Sequence, residues 1–110
     1  MLPDTSINLR IFIGERDQYR GKPLYEAIVL KAREMHLAGA TVLRSPMGFG
    51  HASLLHTANI LRLSDDLPLV VEIIDAPEKI DAFVAAVKPM LTSGLITLHA
   101  VTVAHYGAEK

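Results

Sequence analysis

Residues 69–74 read Leu-Val-Val-Glu-Ile-Ile, an apolar run interrupted by one polar side chain, Glu72. A strand that is apolar on both faces must lie in the middle of a sheet and be covered on both sides. Asp75 and Glu78 follow with capping-box spacing, which predicts a helix start with Asp75 as its cap. Ile80, Phe83, Val84, Val87 and Leu91 then recur at helical spacing. Pro89 removes one bond near the end of that helix, and Gly94 is expected to stop it.

The remaining elements say how much cover this chain supplies. Ile7, Leu9, Ile11 and Ile13 alternate with Asn8, Arg10 and Phe12, the pattern of a strand with one buried face. Gly14 ends it, and the polar stretch 15–22 connects it to Pro23, which suits the first turn of a helix. Leu24, Ile28, Ala32 and Met35 form that helix's apolar stripe, and residues 37–39 close it at Gly39. A second strand is expected over 39–45, a short one over 60–63, and a last one over 95–106. The apolar phase of the last strand slips between Leu98 and Val101, so a bulge or break is expected there.

The order is β-α-β-β-α-β, the ferredoxin-like α+β sandwich: an antiparallel sheet with two helices on one face. The other face, carrying Phe12 and Val70 or their neighbours, has too much apolar surface to stay wet. Packing against identical sheets solves that problem, so a homo-oligomer is expected. The 110 residues make one domain, with a core at about 7–106 and loose termini at 1–6 and 107–110.

Composition narrows the function classes. The formal charge is −1, which gives no electrostatic case for nucleic acid or an anionic membrane surface. There is no cysteine, which removes disulfides and thiolate chemistry and fits the cytoplasm. The first ten residues lack the pattern of a signal peptide, and no apolar run approaches the roughly 20 residues of a membrane span. Direct membrane insertion is therefore not expected.

Residues 39–50, Gly-Ala-Thr-Val-Leu-Arg-Ser-Pro-Met-Gly-Phe-Gly, hold the strongest functional candidate. A Gly-x-Gly pair after a strand lets the backbone turn sharply, and exposed N–H groups in such a turn can bind an anion. Met47, Gly48, Phe49, Gly50 and His51 are the candidate contact residues, against a plain tight bend held by Phe49. Arg44 and Arg62 would flank the loop and offer charge to a phosphate or carboxylate, or serve as solvated residues or subunit salt bridges. Arg16, Tyr19 and Lys22 would form a polar pocket at the first helix start, or an ordinary solvated loop.

Of the five histidines, His51 and His56 lie near the loop and His99 and His105 near the last strand. Neither pair has helical zinc-site spacing, so no metal ligand is assigned. Ser45, Ser53, Thr57, His51 and Asp65 lack the surroundings of a nucleophile elbow or P-loop, so no catalytic residue is assigned and the chain is not expected to be an enzyme. Glu72, if buried, would have a raised pKa, while a salt bridge to a strand arginine such as Arg10 is the simpler arrangement.

Four segments, RIFIGERDQYRGKPLYEAIVLKARE, LAGATVLRSPMGFG, HTANILRLSDDLPLVVEIID and GLITLHAVTVAHY, resemble the domain of unknown function 190 family, grouped with PII-like signalling proteins. The resemblance spans about residues 9–106. It implies a homotrimer with inward-facing sheets, adenine nucleotides in subunit clefts, and a loop after the second strand that reports their state to transporters, channels or enzymes. Gly48, Phe49 and Gly50 match the base of that loop. The loop here is shorter than in PII and has no tyrosine, and the phosphate-binding segment shrinks to Thr92-Ser93-Gly94. Those departures argue against ATP held in the PII manner and leave a smaller nucleotide or another small ligand. The expected function is a cytoplasmic trimeric regulator that binds a small ligand and acts on a partner protein, with a membrane transporter or channel as one candidate. A histidine-based metal-binding ferredoxin-like trimer is the alternative.

Overall fold

The computed structural model describes residues 2–45, 47–48, 56–57 and 67–107. In chain order these form β1 (Thr5–Gly14), β2 (Gln18–Tyr19), β3 (Lys22–Pro23), α1 (Leu24–Glu34), β4 (Thr41–Arg44), β5 (Met47–Gly48) and β6 (His56–Thr57). After them come β7 (Pro68–Asp75), α2 (Pro77–Val87), a 3-10 turn (Lys88–Met90) and β8 (Leu95–Thr102). The main sheet has the order β4-β7-β1-β8 with every neighbouring pair antiparallel, the ferredoxin-like arrangement. The expected strand over 60–63 lies outside the described residues.

Alternation decides the layers. Leu9, Ile11 and Ile13 of β1 and Leu69, Val71 and Ile73 of β7 point to one face and are buried. Leu24, Ile28 and Ala32 of α1 and Ile80, Phe83 and Val87 of α2 close over them. Both helices therefore cover the same face. β7 is central, as its apolar character requires. β1 begins at Thr5, ahead of residue 7, and Ser6 is fully buried with its hydroxyl donating to the Pro3 carbonyl at 2.9 Å.

Several local expectations are corrected. The polar stretch after β1 folds back as the β2–β3 hairpin, whose two-residue turn has Arg20 at φ 52 and Gly21 at φ 81. Two left-handed residues match the twist of paired strands, as in a type I′ turn. Pro23 is the residue before α1, not within its first turn. Helix α1 ends at Glu34, and the left-handed residue that closes it is His36, φ 62, not Gly39. His36 N–H donates to Arg33 O and Leu37 N–H to Ala32 O, the two bonds of a Schellman motif.

Asp75 does not cap α2. The cap residue is Ala76, which has no side-chain capping bond, and Pro77 supplies the first turn. Gly94 does not stop α2 either, since the 3-10 turn already ends at Met90. Gly94 has φ 113, and a Cβ there would lie 2.7 Å from the Phe12 carbonyl oxygen, so close approach to β1 excludes a side chain. The bulge expected in β8 is absent: its register runs unbroken from Leu95 opposite Phe12 to Thr102 opposite Thr5. The phase slip reflects an edge strand with apolar residues on both faces, Ile96 and Leu98 on the helix side and Leu95 and Val101 on the other.

A non-glycine residue in the left-handed region is disfavoured by contact of its Cβ with the backbone. His36→Gly is expected to raise stability by about 1 kcal/mol, measured by urea unfolding at neutral pH.

Candidate functional site

The sheet face away from the helices carries the even-numbered residues of β1 and β7. One end is apolar, with Phe12 beside Val70 and Leu95, and Leu43 beside Val70. Leu43 is 51% and Leu95 56% exposed, so this patch lacks cover within the chain. The middle is polar: Arg10 and Thr41 flank Glu72 across the sheet, and Asn8 lies opposite His99.

Glu72 is the electrostatic centre of that face. Arg10 Nε lies 3.0 Å from Glu72 Oε2, and Asn8 Nδ2 donates to the same oxygen at 3.1 Å. The Asn8 hydrogen bond and then the Arg10 bond hold the Glu72 carboxyl below its ordinary pKa, with smaller help from the charges of Arg10 and His99. The Arg10 salt bridge is the arrangement expected from sequence, and the pKa moves down, opposite to the shift burial would cause. Both bonds go to Oε2 and leave Oε1 as an acceptor.

Beyond Glu72 the face deepens into a groove of about 680 Å³ lined by Leu2, residues 38–41, Glu72, Ile74 and residues 101–106. Small and apolar residues are interspersed with the polar side chains of Thr41, Glu72, Thr102, His105 and Tyr106, so the lining is close to half polar. A Cβ added at Gly39 would meet nothing within 4 Å, and its φ is not left-handed. Neither backbone conformation nor packing within the chain therefore requires glycine at position 39. A concavity of this size with convergent polar groups beside apolar wall can hold a small ligand.

The sequence-derived candidates lie elsewhere. Arg44 is the last residue of β4, and its guanidinium is ion-paired with Glu15. Met47 and Gly48 form β5, paired with Thr57 and His56 of β6. Phe49, Gly50, His51 and Arg62 lie outside the described residues. Arg16, Tyr19 and Lys22 do not line the groove; Tyr19 packs against the core, with the Arg20 guanidinium 5.1 Å from its ring centre. Among the described residues no three His, Asp or Glu side chains group as a metal site. No helix among them is long and apolar enough to cross a membrane. The groove was missed because it joins segments distant in the chain; its sequence signals were the lone acid in an apolar strand and a glycine among alanines.

The model of DUF190, a family described as "Uncharacterized ACR", matches residues 6–103. The chain belongs to this family. A UPF0166 protein of Aquifex aeolicus is 42% identical over 95 residues, 86% of this chain and 90% of that protein. A UPF0166 protein of Methanocaldococcus jannaschii is 32% identical over 73 residues, 66% of this chain and 67% of its own. Among solved structures, CPII of Thiomonas intermedia K12, a nitrogen regulatory PII-like protein bound to ADP, AMP and bicarbonate, aligns with a TM-score of 0.70. The alignment covers 92% of this chain and 90% of CPII at 14% identity. The fold of this DUF190 protein is thus PII-like.

Ionised Glu72 is stabilised in the folded state, so its contribution is full above the ordinary carboxylate value of 4.5 and is lost as pH falls through the lower folded value. Urea unfolding on either side of that window should show a smaller loss of stability in Glu72→Gln than in the wild type.

Proposed function

We propose that this DUF190 protein is a non-catalytic PII-like regulator that receives an adenine nucleotide at the groove beside Glu72, completed at a subunit cleft, and signals to a protein partner through the loop around residues 48–59. The observation that carries the reading is a groove on a PII-like sheet whose shape and chemistry suit a purine. Its volume, about 680 Å³, lies within the usual range for small-molecule sites. The space beside Ala38, Gly39 and Ala40 admits a flat ring, and Glu72 Oε1 is an acceptor for an exocyclic amine. CPII, which shares the fold, was solved with ADP and AMP.

Electrostatics orients such a ligand. The Glu72 carboxylate repels phosphate and favours the base, so the phosphates would point away from Glu72. Within one chain Arg44 falls on the helix side of the sheet, opposite Leu69, and pairs with Glu15. Arg44, Met47 and Gly48, together with Phe49, Gly50, His51 and Arg62, are therefore proposed as contacts from a neighbouring subunit, through the connection after β4. The ligand acts on the partner by binding one arrangement of this connection better than another. A membrane transporter or channel is the partner class that the resemblance suggests, and the cytoplasm the compartment.

The apolar patch of half-buried Phe12 and Val70 and exposed Leu43 and Leu95 supports a homotrimer with these faces inward. Sedimentation equilibrium is expected to give three times the chain mass of 12.0 kDa, and a monomer would end the trimer proposal.

For the ligand, calorimetric titration with AMP, ADP and ATP should show binding to the wild type. Gly39→Leu is expected to retain the circular dichroism of the wild type and to weaken binding by at least about tenfold, since it adds bulk at a residue that lines the groove. Unchanged affinity in Gly39→Leu would move the site elsewhere, and no heat with any of the three would end the nucleotide reading.

A further inference from the structure

Asp75 is 4% exposed, yet it caps no helix and makes no ion pair among the described residues. Burying a carboxylate is costly unless hydrogen bonds replace its water. Here both oxygens are used: Oδ1 accepts the Ala76 N–H at 2.7 Å and Oδ2 accepts the Ala38 N–H at 2.8 Å. The second bond crosses from the end of β7 to the strip between α1 and β4, 37 positions away in the chain.

That strip is a wall of the groove. Ala38, Gly39 and Ala40 belong to no helix or strand and are exposed, and all three line the cavity. Just before them, Leu37 is tied to α1 by the Schellman bond, and Lys79 Nζ donates to the His36 carbonyl. Just after them, Thr41 enters the sheet opposite Glu72. The Asp75 bond pins the segment between these two anchors.

We infer that Asp75 is a positioning residue for the groove: its carboxylate fixes residues 38–40 against the sheet and so sets the wall a purine would meet. The inference rests on the nucleotide reading above for its ligand, but the clamp itself is a property of the chain. The two N–H groups use different oxygens, so asparagine would set an amide NH2 against one of them, and alanine removes both bonds.

The test is Asp75→Ala in the full chain, which removes both bonds, read by amide hydrogen exchange and by calorimetric titration with AMP and CMP. The expected result is faster exchange at Ala38, AMP affinity lowered about tenfold, and little change with CMP, so that base discrimination falls. A general loss of stability would instead lower the unfolding temperature and leave the AMP-to-CMP ratio of the folded protein unchanged, and that outcome would overturn the inference. A wild-type exchange rate at Ala38 would overturn it too. If the wild type binds no AMP, the nucleotide reading falls, while faster exchange at Ala38 in Asp75→Ala still upholds the clamp.

Discussion

The pairing of β1 with β7 governs the rest of this molecule. Its register, with Leu9 opposite Ile73 and Ile11 opposite Val71, puts the odd-numbered residues of both strands toward the helices. A shift of β1 by one residue against β7 would turn Arg10 into the core and Ile11 out of it. The ion pair between Arg10 and Glu72 adds a second check on that register, because the two are direct cross-strand partners. The groove inherits its one strong charge from this arrangement: the strand that anchors the core also delivers the carboxylate to the opposite face.

Cover on that opposite face is uneven. At one end the chain's own segments, residues 101–106 and Leu2, rise beside Ile74 and Glu72 and make a groove. At the other end Leu43 and Leu95 stand exposed beside Phe12 and Val70. The two ends thus call for different occupants, a small molecule for the concavity and a flat apolar surface for the patch. A PII-like assembly would satisfy both needs on one sheet face.

Much of the fold was legible because its signals are short-range. The alternation in β1, the apolar run of β7 and the stripes of both helices each declare themselves within one element, and the need of Glu72 for a cation pointed to Arg10. Where the reading went astray, a local pattern was outbid by a distant partner. Asp75 sits at capping spacing, but the Ala38 N–H takes its carboxylate. Gly39 looked like the end of α1, but His36 adopts the left-handed turn. Gly94 looked like a helix stop, yet the Phe12 carbonyl is what demands a glycine. The groove has no motif at all, because its walls come together only when β4, β7 and the segment after β8 are assembled.

The groove is also walled by two segments that lie outside the sheet. Val103 N–H donates to the Asp4 carbonyl at 2.7 Å, so residues 2–4 run beside the segment that follows β8, and Leu2, His105 and Tyr106 all line the cavity. One backbone bond thus holds two walls together, and a change at Leu2 reaches the cavity as directly as a change in the central strand.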